Sequence, residues 1–300
     1  MLPFRLAFHP GFTVDLGPHV FPAQKYRLVR QRLLDERLAE PGDFFAPQPA
    51  TDEDLLRVHT REYLEKAGTG RFSAQEARNL EVPWSPALAS GARLAAGAAI
   101  EAGWRARRDG CCVVLGGGFH HAFPDHGEGF CLINDVAVAT AALLAAGGAS
   151  RVAVVDLDVH HGNGTAAILA DEPRAFTLSI HQQDNYPAAK PPSSLDVGLP
   201  DGTGDEAYLS ILDTTLPRVL EFGPDLVWYL AGADPYEHDV LGGLALTLNG
   251  LRERDRRVFE ATRRAHVPVA VTLAGGYALD PTDTVTIHVN TVLAAAEVFG

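Results

Sequence analysis

The chain has 300 residues, of which 46% are hydrophobic and 21% charged, the composition of a globular protein with a large core. It contains no apolar run near the roughly 20 residues of a membrane helix, and its N-terminus lacks the apolar stretch of a signal peptide. We therefore expect a cytoplasmic protein without a membrane partner. The net charge of −13 disfavours nucleic acid as a partner but is compatible with a cationic or amine substrate.

Short apolar runs alternate with helical patterns along the chain, with no linker long enough to divide it. The predicted strands are Arg5–Phe8, Cys112–Leu115, Val152–Asp156, Ala175–Ile180, Leu226–Leu230 and Val269–Leu273. The predicted helices are Gln24–Glu40, Asp52–Ala67, Pro86–Arg108, Asn134–Ala146, Gly204–Phe222, Asn249–Ala265 and Pro281–Phe299. The strands are almost continuously apolar, as in parallel strands covered on both faces, so the pattern predicts a single α/β domain over residues 1–300.

Two further features of this pattern are local. Thr51 and Asp54 form the signature of a capping box at the start of the second helix. The segment Gln182–Gly202 is rich in Pro, Asp and Ser, and it predicts a long irregular loop, a type of loop that is often functional. We expect this loop, with Tyr186, to shape a binding pocket. The three cysteines are odd in number and two are adjacent, which favours buried thiols over disulfides.

Five of the predicted strands run directly into polar residues. These segments are Gly116–His121, Asp156–His161, Ser179–His181, Ala231–Asp234 and Ala274–Tyr277. Since ligands of open α/β sheets bind beyond the carboxyl ends of the strands, this clustering predicts a functional site at one edge of the sheet.

Asp156, Asp158 and His160 alternate along one of these segments and would share a side if the chain were extended. Two buried carboxylates side by side repel each other and need a cation or a shared proton. The alternative is the polar face of a half-exposed strand. Together with Asp234, the pair Asp158 and His160 gives three ligands and an open position, the pattern of a catalytic zinc site, although this donor set also suits Fe(II), Mn or Co.

Two more groups in these segments are candidates for chemistry. His120 and His121 follow a glycine turn and are candidates for metal ligands or for acid–base catalysis, the alternative being a surface pair. Tyr277 follows Gly275 and Gly276. Either its hydroxyl reaches the predicted site, or its ring is an ordinary packing residue.

Four runs of sequence resemble the histone deacetylase superfamily, most closely the class IV enzymes and the bacterial histone deacetylase-like amidohydrolases. They are GGGFHHAFPDHGEGFCLINDVAVA, VAVVDLDVHHGNGT, LAGADPYEHDVLGGL and LAGGY. The resemblance covers nearly the whole chain. It implies the arginase/deacetylase fold, a three-layer α/β/α arrangement around a parallel sheet. It also implies an amidohydrolase that uses Zn²⁺, with Fe²⁺ as an alternative, to remove an acyl group from an acyl-lysine or another acylated amine.

The resemblance also implies roles for individual residues. The implied metal ligands are Asp158, His160 and Asp234. The implied catalytic group is His121 as base and acid, His120 as its electrostatic partner, Asp156 and Asn163 as the residues that orient these histidines, and Tyr277 as a donor to the substrate carbonyl. A structural potassium ion is implied at Asp156 and Ser179 with backbone carbonyls around Asp158, His160 and Ile180. Gly129 and Phe130 match the wall of the acyl-lysine tunnel.

The sequence departs from the family pattern in two places. Asn163 replaces the Asp that many relatives pair with the general base, and an amide adds no charge, so we expect a less basic His121. The segment 82–91 contains no acidic residue to hold a peptide backbone, and Glu81 only precedes it. We therefore do not expect a tight grip on a histone-like peptide.

Three other functions compete with this interpretation. A dinuclear manganese ureohydrolase would need additional bridging carboxylates, and a non-catalytic binding protein for acylated amines would not need the catalytic residue types. A phosphate or nucleotide binder would use Gly116–Gly118 and Gly162–Gly164, but neither run has a phosphate-loop motif. The acyl chain length, the amine and a homo-oligomeric state are left open.

Overall fold

The structure, a computed structural model, describes all 300 residues and is built on one sheet of eight parallel strands. The strands are β1 (Arg5–Ala7), β2 (Phe44–Phe45), β3 (Cys111–Val114), β4 (Val152–Asp156), β5 (Ala175–Gln182), β6 (Leu195–Leu199), β7 (Leu226–Leu230) and β8 (Val269–Thr272). Their order across the sheet is β2-β1-β3-β8-β7-β4-β5-β6. All pairings are parallel, as the apolar runs predicted.

The helices are α1 (Gln24–Asp35), α2 (Asp52–Leu55), α3 (Arg61–Thr69), α4 (Ala74–Leu80), α5 (Pro86–Asp109), α6 (Asp135–Ala145), α7 (Asn163–Leu169), α8 (Asp205–Glu221), α9 (Leu248–Arg264) and α10 (Pro281–Phe299). They pack in two groups. In one group α10 contacts α1 and α9, and α9 contacts α8. In the other group α5 contacts α6 and α3, and α6 contacts α2 and α7. The central strands β3, β4, β7 and β8 are buried at every residue. This is an α/β fold of the predicted arginase/deacetylase type.

The predicted helix Asp52–Ala67 is wrong in one respect, because the chain breaks into α2 and α3. The predicted capping box at Thr51 is present and begins α2. The break occurs where the Thr60 backbone N–H donates to the Pro124 carbonyl (2.8 Å) and the Thr60 hydroxyl accepts from the Tyr63 N–H (3.2 Å). The neighbouring His59 lies between the Phe123 carbonyl and the Asn134 N–H. These long-range contacts stop the helix although its hydrophobic pattern continues.

Other boundaries also differ from the prediction. The helix predicted to reach Glu40 ends at Asp35, and the segment Gln182–Gly202 is not wholly irregular because it contains β6. The short elements β2, α4 and α7 were not predicted. Each of these has at most seven residues, too few for a clear hydrophobic period.

The strand order determines where the functional side chains lie. The five strands that lead into polar segments, β3, β8, β7, β4 and β5, are consecutive neighbours in the sheet. Because all five are parallel, their carboxyl ends lie at one edge, and residues distant in sequence meet there. None of the helices is both long enough and apolar enough to cross a membrane.

Candidate active site

Asp158, His160 and Asp234 lie together at the carboxyl edge of the sheet, with one potential ligand atom of each within 4.8 Å of the others. All three are buried. The chain does not reach them as an extended strand, since β4 ends at Asp156 and residues 158–160 form a bend. In this bend Asp158 Oδ1 accepts hydrogen bonds from the backbone N–H and from Nδ1 of His160, both at 3.0 Å.

The surrounding backbone fixes the two carboxylates and leaves one oxygen without a hydrogen-bond partner. Val159 N–H donates to Asp234 Oδ1 (2.9 Å), and Gly275 N–H donates to Asp158 Oδ2 (2.9 Å). Asp234 Oδ2 is buried and accepts no hydrogen bond, although His160 Nδ1 is 3.5 Å away. Buried carboxylate oxygens are normally paired or bound to a metal, so this donor set fits one divalent cation.

His120 and His121 lie beside this group and have different partners. His120 Nδ1 is 2.7 Å from Asp156 Oδ2, whereas His121 Nδ1 is 2.7 Å from Asn163 Oδ1. The two Nε2 atoms are 3.2 Å apart. Each ring therefore has its Nδ1 held by a side-chain oxygen, and the predicted orienting residues do contact the predicted histidines.

These partners separate the acid–base properties of the two histidines. Burial lowers the pKa of His120, but the Asp156 and Asp158 carboxylates outweigh this effect and raise it to about 9. Burial, together with the positive charges of His120 and His160, holds the pKa of His121 well below its ordinary value. The surroundings therefore favour the charged form of His120 and the neutral form of His121.

Tyr277 lies close to His160 of the ligand group. Its ring centroid is 6.5 Å from that of His160, and its backbone N–H donates to Asp239 Oδ2 (2.6 Å). Burial, with the charges of Asp234 and Asp158, raises the pKa of Tyr277 well above its ordinary value, so its hydroxyl keeps its proton. The structure brings this hydroxyl-bearing residue into the site rather than into the core.

A cavity of about 220 Å³ opens onto these groups. The residues that line it include His120, His121, Asp158, His160 and Tyr277 at the base and Phe21, Gly129, Phe130 and Tyr186 in the walls. The Tyr186 ring stands perpendicular to His121, with centroids 5.0 Å apart. Glu81, which precedes the segment 82–91, also lines the cavity.

The residues predicted to bind potassium lie next to this site. Asp156 and Ser179 are register partners on β4 and β5, and Ile180 follows Ser179 along β5. Close by, His161, His181 and Asp196 form a second cluster of possible ligands. His161 Nε2 is hydrogen-bonded to Asp196 Oδ1, and His181 Nδ1 is hydrogen-bonded to Ser179 Oγ, both at 3.0 Å. These hydrogen bonds account for the positions of the three residues without an ion.

Several residues that support the site were missed from the sequence. Asp135 accepts hydrogen bonds from the backbone of Gly118 and Phe119 (2.9 and 2.8 Å) and so fixes the turn before the histidine pair. Lys25 Nζ donates to the Ala274 carbonyl (2.7 Å). Others are Asp239, Arg254, which donates to the Gly232 carbonyl, and Glu128, which contacts Asn163. Asp135, Glu128 and Asp239 lie within the runs that resemble the family, but their partners are 17, 35 and 38 residues away, so the spacing gave no sign of these contacts.

Comparison with known proteins identifies the family. The model of the histone deacetylase domain matches residues 19–293. The chain belongs to the histone deacetylase family. A "Probable deacetylase" of Archaeoglobus fulgidus is 32% identical over 92% of this chain and 81% of its own length. A "Histone deacetylase-like amidohydrolase" of Pseudomonas aeruginosa is 34% identical over 76% of this chain and 64% of its own length.

Two further comparisons extend over almost the whole chain. A Picosynechococcus protein is 38% identical over 99% of both chains. The crystal structure of the HDA15 HD domain superposes with a TM-score of 0.80 and 26% identity, covering 99% of this chain and 88% of the other. Histone deacetylase family membership, as the sequence predicted, makes the chain a hydrolase of the deacetylase and amidohydrolase class.

Proposed function

We propose that this histone deacetylase family member is a zinc-dependent amidohydrolase that removes the acyl group from an acylated amine, either an acyl-lysine or an acylpolyamine-like molecule. One observation carries the proposal: Asp158 and His160 of the three-residue ligand group line the same cavity as His121 and Tyr277. Residues 1–300 act as one catalytic domain in this proposal.

The cation would be held by Asp158, His160 and Asp234, with Zn²⁺ preferred and Fe²⁺ as an alternative. Such an ion supplies Lewis-acid polarisation of the amide carbonyl and lowers the pKa of water. The unpaired Asp234 Oδ2 supports this assignment, as do Gly232 and Gly275, where a Cβ would collide with the carboxylates of Asp158 and Asp234. A structural K⁺ is proposed at Asp156, Ser179 and the backbone carbonyls of Asp158, His160 and Ile180.

His121 carries the proton transfers. Its Nδ1 is occupied by Asn163 Oδ1, so the proton lies on Nδ1. The lone pair is on Nε2, which is 3.2 Å from His120 Nε2, and this lone pair accepts a proton from the attacking water. The same Nε2–H then protonates the departing amine. A depressed pKa keeps the ring unprotonated before the reaction starts, which is the state that a general base requires.

Two groups stabilise the negative charge that develops on the substrate oxygen. The Tyr277 hydroxyl donates a hydrogen bond to it, and the charged His120 ring, held by Asp156, adds a positive charge nearby. Both groups are buried, where such interactions are stronger than in water.

The walls of the cavity support the proposed substrate class. Gly129, Phe130 and Tyr186 line this largely apolar cavity, which suits an unbranched acyl-amine chain. Gly129 has no room for a side chain, because a Cβ there would lie 2.7 Å from the His121 ring and 2.8 Å from Tyr186. Glu81 lines this cavity and the chain is strongly acidic, which favours amine substrates over anionic ones.

The test is a screen of acetyl-lysine peptides, lysines with longer acyl chains and an N-acetylpolyamine, using protein loaded with Zn²⁺ or Fe²⁺. The matched control is the Asp234→Asn variant, which keeps the oxygen that accepts from Val159 and removes a charged ligand. We expect hydrolysis by the wild type that a chelator abolishes and that the variant lacks. Absence of hydrolysis of every acylated amine would contradict the proposal.

A further inference from the structure

The partner of the proposed base is itself held by a carboxylate. Asn163 Oδ1 contacts His121 Nδ1 and Asn163 Nδ2 donates to Glu128 Oε1, each at 2.7 Å. The chain of contacts is continuous from the imidazole through the amide to the carboxylate. Asn163 is 1% exposed, and Glu128 is partly buried at the edge of the cavity wall formed by Gly129 and Phe130.

An asparagine alone does not define the state of the histidine. Its side chain can present either the carbonyl oxygen, which accepts, or the NH₂ group, which donates. If the NH₂ group faced His121, Nδ1 would have to accept, and the proton would move to Nε2, the atom that must be free to act as a base. An ionised carboxylate removes this ambiguity because it only accepts, so the NH₂ group must face it.

The surroundings of Glu128 keep it ionised. Burial raises its pKa, but hydrogen bonds from His126, Asn163 and Tyr186 outweigh this effect and lower the pKa below its ordinary value. His126 Nε2 is 3.5 Å from Glu128 Oε2, the oxygen that does not contact Asn163. The two carboxylate oxygens thus have separate partners.

We propose that Glu128 is a positioning residue that fixes the Asn163 amide and thereby holds His121 in the Nδ1–H tautomer. This inference rests on the proposed role of His121 as the general base. An aspartate at position 163 would place a negative charge beside the imidazole. Here the negative charge belongs to Glu128, which is one hydrogen bond further away. The base keeps its orientation, and the carboxylate acts on it only from this greater distance.

The test compares the activities of three variants of Glu128 and Asn163. In Glu128→Ala the amide is free to rotate, and we expect kcat to fall about 10-fold with little change in KM or metal content, since only the proton transfer is affected. Asn163→Asp places two carboxylates in contact, and we expect a loss of about 100-fold. The double variant Asn163→Asp/Glu128→Gln restores one donor and one acceptor, and we expect it to recover to within about 10-fold of the wild type.

A second readout does not depend on turnover. Nitrogen-15 NMR of labelled histidines reports the tautomer of His121, and we expect Nδ1–H in the wild type and a mixture in Glu128→Ala. The control is Glu221→Ala, which removes an exposed carboxylate at the end of α8 and should change neither readout.

The inference is overturned if Glu128→Ala keeps the wild-type kcat and the Nδ1–H tautomer, or if the double variant is as inactive as Asn163→Asp. Failure of the wild type to hydrolyse any acylated amine would contradict the proposed function instead. In that case the NMR comparison still decides whether Glu128 sets the tautomer.

Discussion

Replacing Gly275 with alanine adds a single methyl group beside the two carboxylates of the proposed metal site. It follows β8 and donates its N–H to Asp158 Oδ2 at 2.9 Å. A Cβ at this position would lie 2.6 Å from Asp158 Oδ2 and closer still to Asp234 Oδ2. Carbon and oxygen atoms do not approach within 3.0 Å in this way, so both proposed ligands would have to move.

The size of the effect follows from this displacement. Asp234 must shift by on the order of 1 Å, and a misplacement of that size at a reacting centre costs roughly 100-fold in rate. Asp234 is fully buried between the strand ends, and its Oδ1 is held by Val159 N–H, so it has little freedom to adjust. We expect Gly275→Ala to lower metal affinity by about 10- to 100-fold and kcat/KM by about 100-fold.

The assay combines metal titration, kinetics and thermal unfolding. The control is Gly68→Ala in α3, where a Cβ has no neighbour within 4 Å and where alanine should stabilise the helix by up to about 1 kcal/mol. Metal affinity and kcat/KM of Gly275→Ala within twofold of the wild type would refute the proposed geometry of the ligand group. Thermal unfolding shows whether the variant protein is still folded when it is assayed.

Three further outcomes follow from the contacts. Tyr277→Phe should reduce kcat by about 100- to 1,000-fold without loss of metal, and an unchanged kcat would exclude its hydroxyl as a donor. Asp135→Asn should lower the free energy of unfolding by about 1–3 kcal/mol, because one of the N–H groups of Gly118 and Phe119 loses its acceptor, and unchanged denaturant unfolding would contradict this. Burial lowers the pKa of His59 from 6.5 to about 4, so the unfolded chain binds a proton at a higher pH than the folded protein does. The free energy of unfolding therefore falls, by roughly 3 kcal/mol in all, as the pH drops from about 6.5 through about 4. His59→Gln should lose that part of the pH dependence, and equal slopes in variant and wild type would count against it.

The sequence predicted the strands well because buried parallel strands are continuous apolar runs. β4, β7 and α10 have the predicted bounds, and the other predicted strands differ by one or two residues at one end or, for β3, by one residue at both ends. The errors lie where tertiary contacts override local pattern, as in the break between α2 and α3 at Thr60. The half-buried strand β6 lies among Pro, Asp and Ser residues that are typical of a loop.

The candidate site shows the same division. The groups at the strand ends, such as Asp158 and Tyr277, were predicted because a parallel sheet brings its carboxyl ends together. The supporting residues Asp135, Asp239 and Glu128 were not, because each contacts the site from a different part of the chain. Only the three-dimensional packing reveals these partners, and no sequence spacing encodes them.

The number of divalent ions bound per chain tests the central claim most directly. Elemental analysis after loading with Zn²⁺ and dialysis should give one tightly held ion in the wild type and none in Asp234→Asn. The variant should unfold at a temperature close to that of the metal-free wild type. Two ions per chain would favour a dinuclear ureohydrolase site, and an absence of bound metal, or full retention in the variant, would contradict the assignment of Asp158, His160 and Asp234 as ligands.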